Sequence, residues 1–114
     1  MPSWYARPVF FVADVPRSVR FYVDVLGFNE AWERDDVAQV QRGDCEIIVY
    51  RDPDRAGHGR LFLELLEEEL KAFRAESEAR SIPMRETLWG YPCFEIRDPD
   101  GNELLIWQGE QTES

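Results

Sequence analysis

The sequence predicts an α+β fold: two βαβββ modules that form a cupped mixed sheet with the helices on its outer face. Three observations carry this. The order strand, helix, strand, strand, strand runs once over residues 7–51 and again over 60–107. The strands inside each module are joined by short turn sequences, which favours antiparallel hairpins over a doubly wound parallel sheet. The 114 residues suit a single domain, 1–114, divided only by the breaker-rich segment 52–59 (DPDRAGHG).

The first module opens with a strand over Arg7–Ala13. Val9 and Phe11 lie on one face, and Phe10 and Val12 on the other, which predicts burial on both sides. Asp14 is placed to cap a helix that Pro16 opens, because a proline in the first turn loses no needed N–H. Val19, Tyr22, Val23 and Leu26 follow the spacing of one buried helical stripe, and Gly27 ends the helix. Three strands follow over Asn29–Arg34, Val37–Arg42 and Cys45–Arg51, with Asp35-Asp36 and Gly43-Asp44 as turns.

Segment 52–59 reads as an exposed linker, and the order then restarts. A strand over Arg60–Leu66 precedes a helix over Glu67–Ala79, with Leu66, Leu70 and Phe73 on one side. Glu67, Glu68 and Glu69 occupy its first turn, where carboxylates favour the positive end of the helix dipole. Strands over Ser81–Thr87, Tyr91–Arg97 and Glu103–Trp107 complete the module, the last two joined by the tight turn Asp98-Pro99-Asp100-Gly101-Asn102. The tail Gln108–Ser114 is polar.

Charge excludes some classes of partner. With 23 Asp plus Glu against 13 Lys plus Arg, the net charge is -10, which repels phosphates and gives no basic patch for nucleic acid or anionic lipid. A cationic ligand is compatible with it. No apolar run reaches a membrane span, and the N-terminus lacks the pattern of a signal peptide, so a cytoplasmic protein is expected. Cys45 and Cys93 stand apart in apolar strands with no neighbouring His, and read as buried reduced thiols rather than zinc ligands.

Two stretches are familiar. Residues 12–28 (VADVPRSVRFYVDVLGF) resemble the opening motif of the vicinal oxygen chelate superfamily, and Arg97–Asn102 (RDPDGN) resembles its closing hairpin. That superfamily includes glyoxalases, extradiol dioxygenases, fosfomycin-modifying enzymes and bleomycin resistance proteins. The narrower resemblance is to bleomycin resistance proteins, through Gly27-Phe28, Asp35–Ala38, Arg42–Asp44 and Leu88-Trp89-Gly90 ahead of Phe94.

Enzymes of the superfamily hold a divalent metal on His, Gln and Glu. The resemblance puts the first ligand position on Arg7, the second on Gly59 or Arg60, and the third on Leu105. A guanidinium stays protonated and an alkyl chain has no donor, so these residues do not ligate a metal. His58 and Glu103 lie one or two positions away, and Glu103, Leu105 and Trp107 share a strand face. They leave open an alternative, a metal-dependent glyoxalase- or dioxygenase-type enzyme with displaced ligands. A lone His in a charged, Gly-rich segment is more often solvated. The chain therefore reads as metal-free, with no catalytic residue and no cofactor.

The reading that follows is a non-enzymatic protein that sequesters a cationic, aromatic-tailed antibiotic. Stacking needs aromatic faces, and a cationic terminus needs carboxylates. Candidate lining residues are Trp32, Val37, Tyr50, Trp89, Tyr91 and Trp107. The resemblance assigns Trp89 to stacking on the flat tail, Trp32 to the cleft, and Val37 to the place of a second stacking aromatic. It also implies a homodimer whose N-terminal strand is exchanged between protomers, with Pro8 as hinge next to the aromatic arm Trp4-Tyr5.

Overall fold

The structure is a computed structural model that describes residues 4–82, 85–88 and 92–108. The first module comprises β1 (Val9–Val12), α1 (Val15–Arg20) continuing into a π-helical turn at Phe21–Val25, β2 (Asn29–Arg34), β3 (Val37–Arg42) and β4 (Cys45–Arg51). The second comprises β5 (Arg60–Leu65), α2 (Glu67–Ala79), β6 (Arg85–Leu88), β7 (Pro92–Arg97) and β8 (Glu103–Gln108). Each module makes a four-stranded sheet, in the orders β1-β4-β3-β2 and β5-β8-β7-β6. The outer strand that opens each module runs parallel to the last, and the hairpins are antiparallel.

One core serves both modules. Phe10, Val12, Val15, Val19, Tyr22, Leu26, Val40, Ile47 and Val49 of the first pack in the same cluster as Leu70, Phe73, Ile96, Leu104 and Ile106 of the second. These residues come from the helices and from one face of each sheet. The opposite faces are open.

That arrangement corrects the expectation for β1, which is shorter than Arg7–Ala13 and buried on one side only. Phe10 and Val12 are buried, Phe11 is half-buried and Val9 is exposed. The apolar residues on its outer side belong to the open face, where no helix or strand of the described residues forms a covering layer.

The helix expected over 14–27 is not uniform. The Asp14 carboxylate accepts from the Arg17 N–H (3.0 Å), as a cap should. Past Arg20 the turn widens, and the Leu26 N–H reaches back five residues to the Phe21 carbonyl (3.2 Å). Val19, Tyr22 and Leu26 still form the buried stripe, and Gly27 leaves the helix at φ +75°. The strand expected at Ser81–Thr87 starts later, at Arg85. Ser81 takes the left-handed conformation (φ 56°) and the Ile82 N–H closes back on the Ser77 carbonyl (2.9 Å), so these residues finish α2.

The hairpin at Asp98–Asn102 bolts the modules together. Buried Asp98 accepts from the Asp100 N–H, the Asn102 N–H and the Asn102 Nδ2 (2.9 Å each), and from the Tyr22 hydroxyl of the other module (3.1 Å). Burial first, and then the Asp98 charge, push the Tyr22 hydroxyl's pKa well up, so it remains a donor. Asn102 Nδ2 also donates to the Phe11 carbonyl (3.0 Å), and Asp100 accepts from the Ala13 N–H and from Arg17 (3.1 Å each).

The linker is not wholly exposed. Pro53, Asp54, Arg55 and His58 face solvent, but Gly57 lies against Asp100 so closely that a Cβ there would fall 2.2 Å from its carbonyl oxygen. The Gly59 N–H donates to Asn102 Oδ1 (2.7 Å). Cys93 is buried and Cys45 half-buried, and neither is in a disulfide. Burial, with the neighbouring Glu46 charge, raises the Cys45 thiol to about 11, so it is a protonated thiol at neutral pH.

Candidate functional site

Strand register decides what each open face presents. In the first sheet Val9, Ile48 and Gln39 lie abreast, and Phe11, Tyr50 and Val37 form the next row. Gln41 and Glu46 lie abreast on the other side of Gln39. A β-bulge between Glu30 and Trp32 shifts the register of β2, so that Trp32 and not Ala31 stands opposite Gln39. The bulge thereby puts the indole on the open face.

Gln39 is the centre of this face. It is 4% exposed, and its amide makes four hydrogen bonds. Oε1 accepts from Arg7 Nη1 (2.6 Å) and from Trp32 Nε1 (3.1 Å). Nε2 donates to Glu46 Oε1 (2.7 Å) and Gln41 Oε1 (3.2 Å). Around this network Tyr50 is 47% exposed and Trp32 37% exposed. Arg7 lies over the Tyr5 ring at 5.4 Å, and a hydrogen bond to Glu46 is the main reason the Tyr5 hydroxyl's pKa is raised.

The second open face holds ion pairs instead. Phe62, Leu105 and Glu95 lie abreast, with Glu64 and Trp107 in the next row. Glu95 pairs with Arg97 (2.7 Å) and Arg85 (3.3 Å), and Glu103 with Arg60 (2.7 Å) and Arg97 (3.3 Å). Beneath them Leu105 and Cys93 are buried.

The candidate lining residues therefore divide between two surfaces. Trp32, Val37 and Tyr50 share the first face, and Trp107, half-buried, is on the second. Trp89 and Tyr91 lie outside the described residues. Pro8 immediately precedes β1, and its carbonyl accepts from the Ile48 N–H (3.0 Å). Trp4, at the outer end of the arm, is 92% exposed. Gln39, Gln41 and Glu46 were not singled out from sequence; the alternation of Gln39 and Gln41 with buried Ala38 and Val40 was the available signal.

The metal positions are sharpened. Arg7 is engaged by Gln39, Arg60 begins β5 paired with Glu103, and Leu105 is buried on β8. Gly59 is not on the face, because its backbone is held by the Asp98–Asn102 hairpin. His58 is exposed and Glu103 is committed to two guanidinium groups. Among the described residues no three His, Cys, Asp or Glu side chains cluster as a metal site requires. The residues present do not fit a superfamily-type metal.

Two clefts lie away from the centre of the first face. One of about 440 Å³ runs between the Arg42–Cys45 hairpin, β5 and α2, and one of about 380 Å³ between Phe21, Val25, the end of α2 and Arg85, Glu95 and Arg97. No helix of the described residues is long and apolar enough to cross a membrane.

No curated protein matches the chain. Among solved structures it is similar to the bleomycin-binding protein of bleomycin-producing Streptomyces verticillus, complexed with copper(II)-bleomycin. That match has 29% identity and a TM-score of 0.75, over 96% of this chain and 100% of that one. A bleomycin resistance determinant encoded on transposon Tn5 has the same fold, with 23% identity and a TM-score of 0.76 over 96% of this chain and 100% of that one. So has lactoylglutathione lyase from Agrobacterium tumefaciens, at 20% identity and a TM-score of 0.73 over 95% of each chain. Residues 4–106 match one family profile, and with the paired modules and the joining hairpin this places the chain in the Glyoxalase/Bleomycin resistance protein/Dioxygenase superfamily.

Proposed function

We propose that this protein is a cytoplasmic, metal-free binding protein that sequesters a cationic, aromatic-tailed molecule of the bleomycin class without modifying it. The observation that carries the reading is the match over the whole length of the Streptomyces verticillus bleomycin-binding protein, at 29% identity. The residues at the metal positions support binding over catalysis, since Arg7, Arg60 and Leu105 supply no Lewis acid site. The first open face supplies exposed aromatic surface from Trp32 and Tyr50, and Trp89 is assigned by resemblance to the stacking position.

In this reading two copies complete the groove. Among the described residues no helix or strand forms a covering layer on either open face, and Trp4, at the outer end of the arm, is 92% exposed. Exchange of that arm about Pro8 would bring an aromatic face of one copy to a charged face of the other. Light scattering at micromolar concentration is expected to give twice the 13.4 kDa chain mass. A clean 13.4 kDa species would remove the shared groove.

Titration with copper(II)-bleomycin is the test of ligand class. Saturable quenching of tryptophan fluorescence is expected, with the drug recovered chemically unchanged. Trp89→Ala should weaken binding by about 1 kcal/mol, roughly fivefold. Absence of quenching at every drug concentration would exclude the bleomycin class, and turnover of the drug would exclude simple sequestration.

A further inference from the structure

The two open faces hold their carboxylates in different states. On the second, Glu95 and Glu103 are each within ion-pair distance of two guanidinium groups. On the first, Glu46 is half-buried, and among the described residues no Lys or Arg lies within ion-pair distance of it. Its partners are neutral: the Gln39 amide at 2.7 Å and the Tyr5 hydroxyl. Neutral donors orient a carboxylate but do not cancel its charge.

We propose that Glu46 selects for a positively charged ligand, taking the cation beside the Trp32 indole, and that Gln39 is the positioning residue that holds both. This rests on the reading of the first open face as a ligand-binding face. Gln39 has one amide oxygen with two lone pairs and one NH2 with two protons, and all four are used. Reversing the amide would set its NH2 against the Arg7 guanidinium and the indole N–H, so only one orientation satisfies the site. That orientation aims an N–H at Glu46 and ties the indole nitrogen to the same side chain. The carboxylate and the aromatic ring are thus fixed one amide apart before any ligand arrives.

A cation at this place gains from both groups, since tryptophan attracts a cation over its ring and a part-buried carboxylate is less screened than an exposed one. Preorganisation adds to the gain, because no side chain has to be ordered on binding. Glu64 is the rival on the other face, opposite Trp107. It is exposed on the outer strand β5, where water screens its charge. Arg7 and the Trp32 indole nitrogen share Gln39 Oε1 while Glu46 sits at Nε2, so the cation is expected on the Glu46 side of the indole, away from the Arg7 guanidinium.

The test compares N-methylquinolinium with quinoline, a neutral ring system of nearly the same size, by tryptophan quenching at neutral pH. Wild type is expected to bind the cation about tenfold more tightly than quinoline. Glu46→Gln should bring that ratio near one with quinoline affinity unchanged, while Glu46→Asp retains part of it and Glu64→Gln all of it. An unchanged ratio in Glu46→Gln, or no preference in wild type, would overturn the proposal. So would a halving of the solution mass in Glu46→Gln, which would assign the carboxylate to contact between copies. Copper(II)-bleomycin is the separate arm. If it fails to bind while the Glu46-dependent ratio persists, the drug class falls and the role of Glu46 stands.

Discussion

The two open faces are built on the same backbone plan and carry opposite chemistry. Val9, Ile48 and Gln39 stand abreast in the first sheet where Phe62, Leu105 and Glu95 stand in the second. Arg7 and Arg60 each lie two residues before the first member of that row. At the central position of β3 a neutral amide organises an indole, a guanidinium and a carboxylate; at the matching position of β7 a carboxylate is shared by two arginines. The module repeat therefore transmits geometry, and single side chains at equivalent points decide what each face can hold. One wall presents exposed rings beside a carboxylate held by a neutral amide, and the other pairs its Glu95 and Glu103 carboxylates with arginines.

The comparison depends on the hairpin that holds the modules in register, so its loss is the largest effect expected. Asp98→Ala would leave the Tyr22 hydroxyl, the Asn102 amide and two backbone N–H groups without their acceptor. Hydrogen bonds to a charged group are worth about 1.5–3 kcal/mol each but are not additive, so a loss of about 3–4 kcal/mol is expected. Urea unfolding measures it. A loss below about 1 kcal/mol would show that the shared apolar core alone fixes the two sheets.

The faces themselves separate in the next experiment. Gln39→Leu removes a buried amide and strands the Trp32 N–H and part of Arg7, which should cost about 1–3 kcal/mol. Glu95→Gln removes one carboxylate from two arginines whose side chains are 68% and 56% exposed, and should cost about 1 kcal/mol or less. Salt sharpens the contrast, because the second cost should shrink in 1 M salt and the first should not. Equal costs with equal salt dependence would mean that the amide network has no more structure than the ion pairs.

Much of this architecture was legible in residue order. The boundaries of β2, β3 and β4 agree with expectation residue for residue, because alternation and the turn pairs Asp35-Asp36 and Gly43-Asp44 bracket them tightly. Trp32 is a large ring in an otherwise polar strand, and it is among the expected lining residues. Its orientation was not legible, because the bulge that turns it toward Gln39 depends on how β2 pairs with β3. Gln39 and Glu46 passed as ordinary polar positions of alternating strands, since nothing local distinguishes a solvated amide from one with four partners. The one-sided burial of β1 was hidden for a related reason. Apolar residues on both faces announce a need for cover without saying that a single chain supplies it.

A smaller effect follows at the pair that links the β3–β4 hairpin to α2. Arg42 donates to Glu76 (2.9 and 3.0 Å) and to the Leu26 carbonyl (2.7 Å), and the guanidinium is the main cause that lowers the Glu76 pKa. A folded pKa below the unfolded one gives stability that is complete above about pH 4.3 and is lost as pH falls through the folded value. For a half-exposed pair this is about 1 kcal/mol or less. Wild type should therefore lose more stability than Glu76→Gln on acidification from pH 6 to pH 3, and parallel profiles would dismiss the pair.

The smallest effect concerns the point where each helix hands over to the sheet. Gly27 in the first module and Ser81 in the second both follow a helix with positive φ, at +75° and 56°. Glycine reaches that conformation without the Cβ conflict that serine suffers. Ser81→Gly should therefore stabilise the protein by about 0.5–1 kcal/mol, less whatever entropy the glycine adds to the unfolded chain. The reverse change is not symmetric, because a Cβ on Gly27 would meet Arg42 Nη1 at 2.8 Å and disturb its bonds to Leu26 and Glu76. Gly27→Ser is expected to destabilise by about 1–2 kcal/mol on thermal unfolding. If Ser81→Gly were destabilising as well, the left-handed serine would be held by contacts of its own, and the two helix ends would not be equivalent.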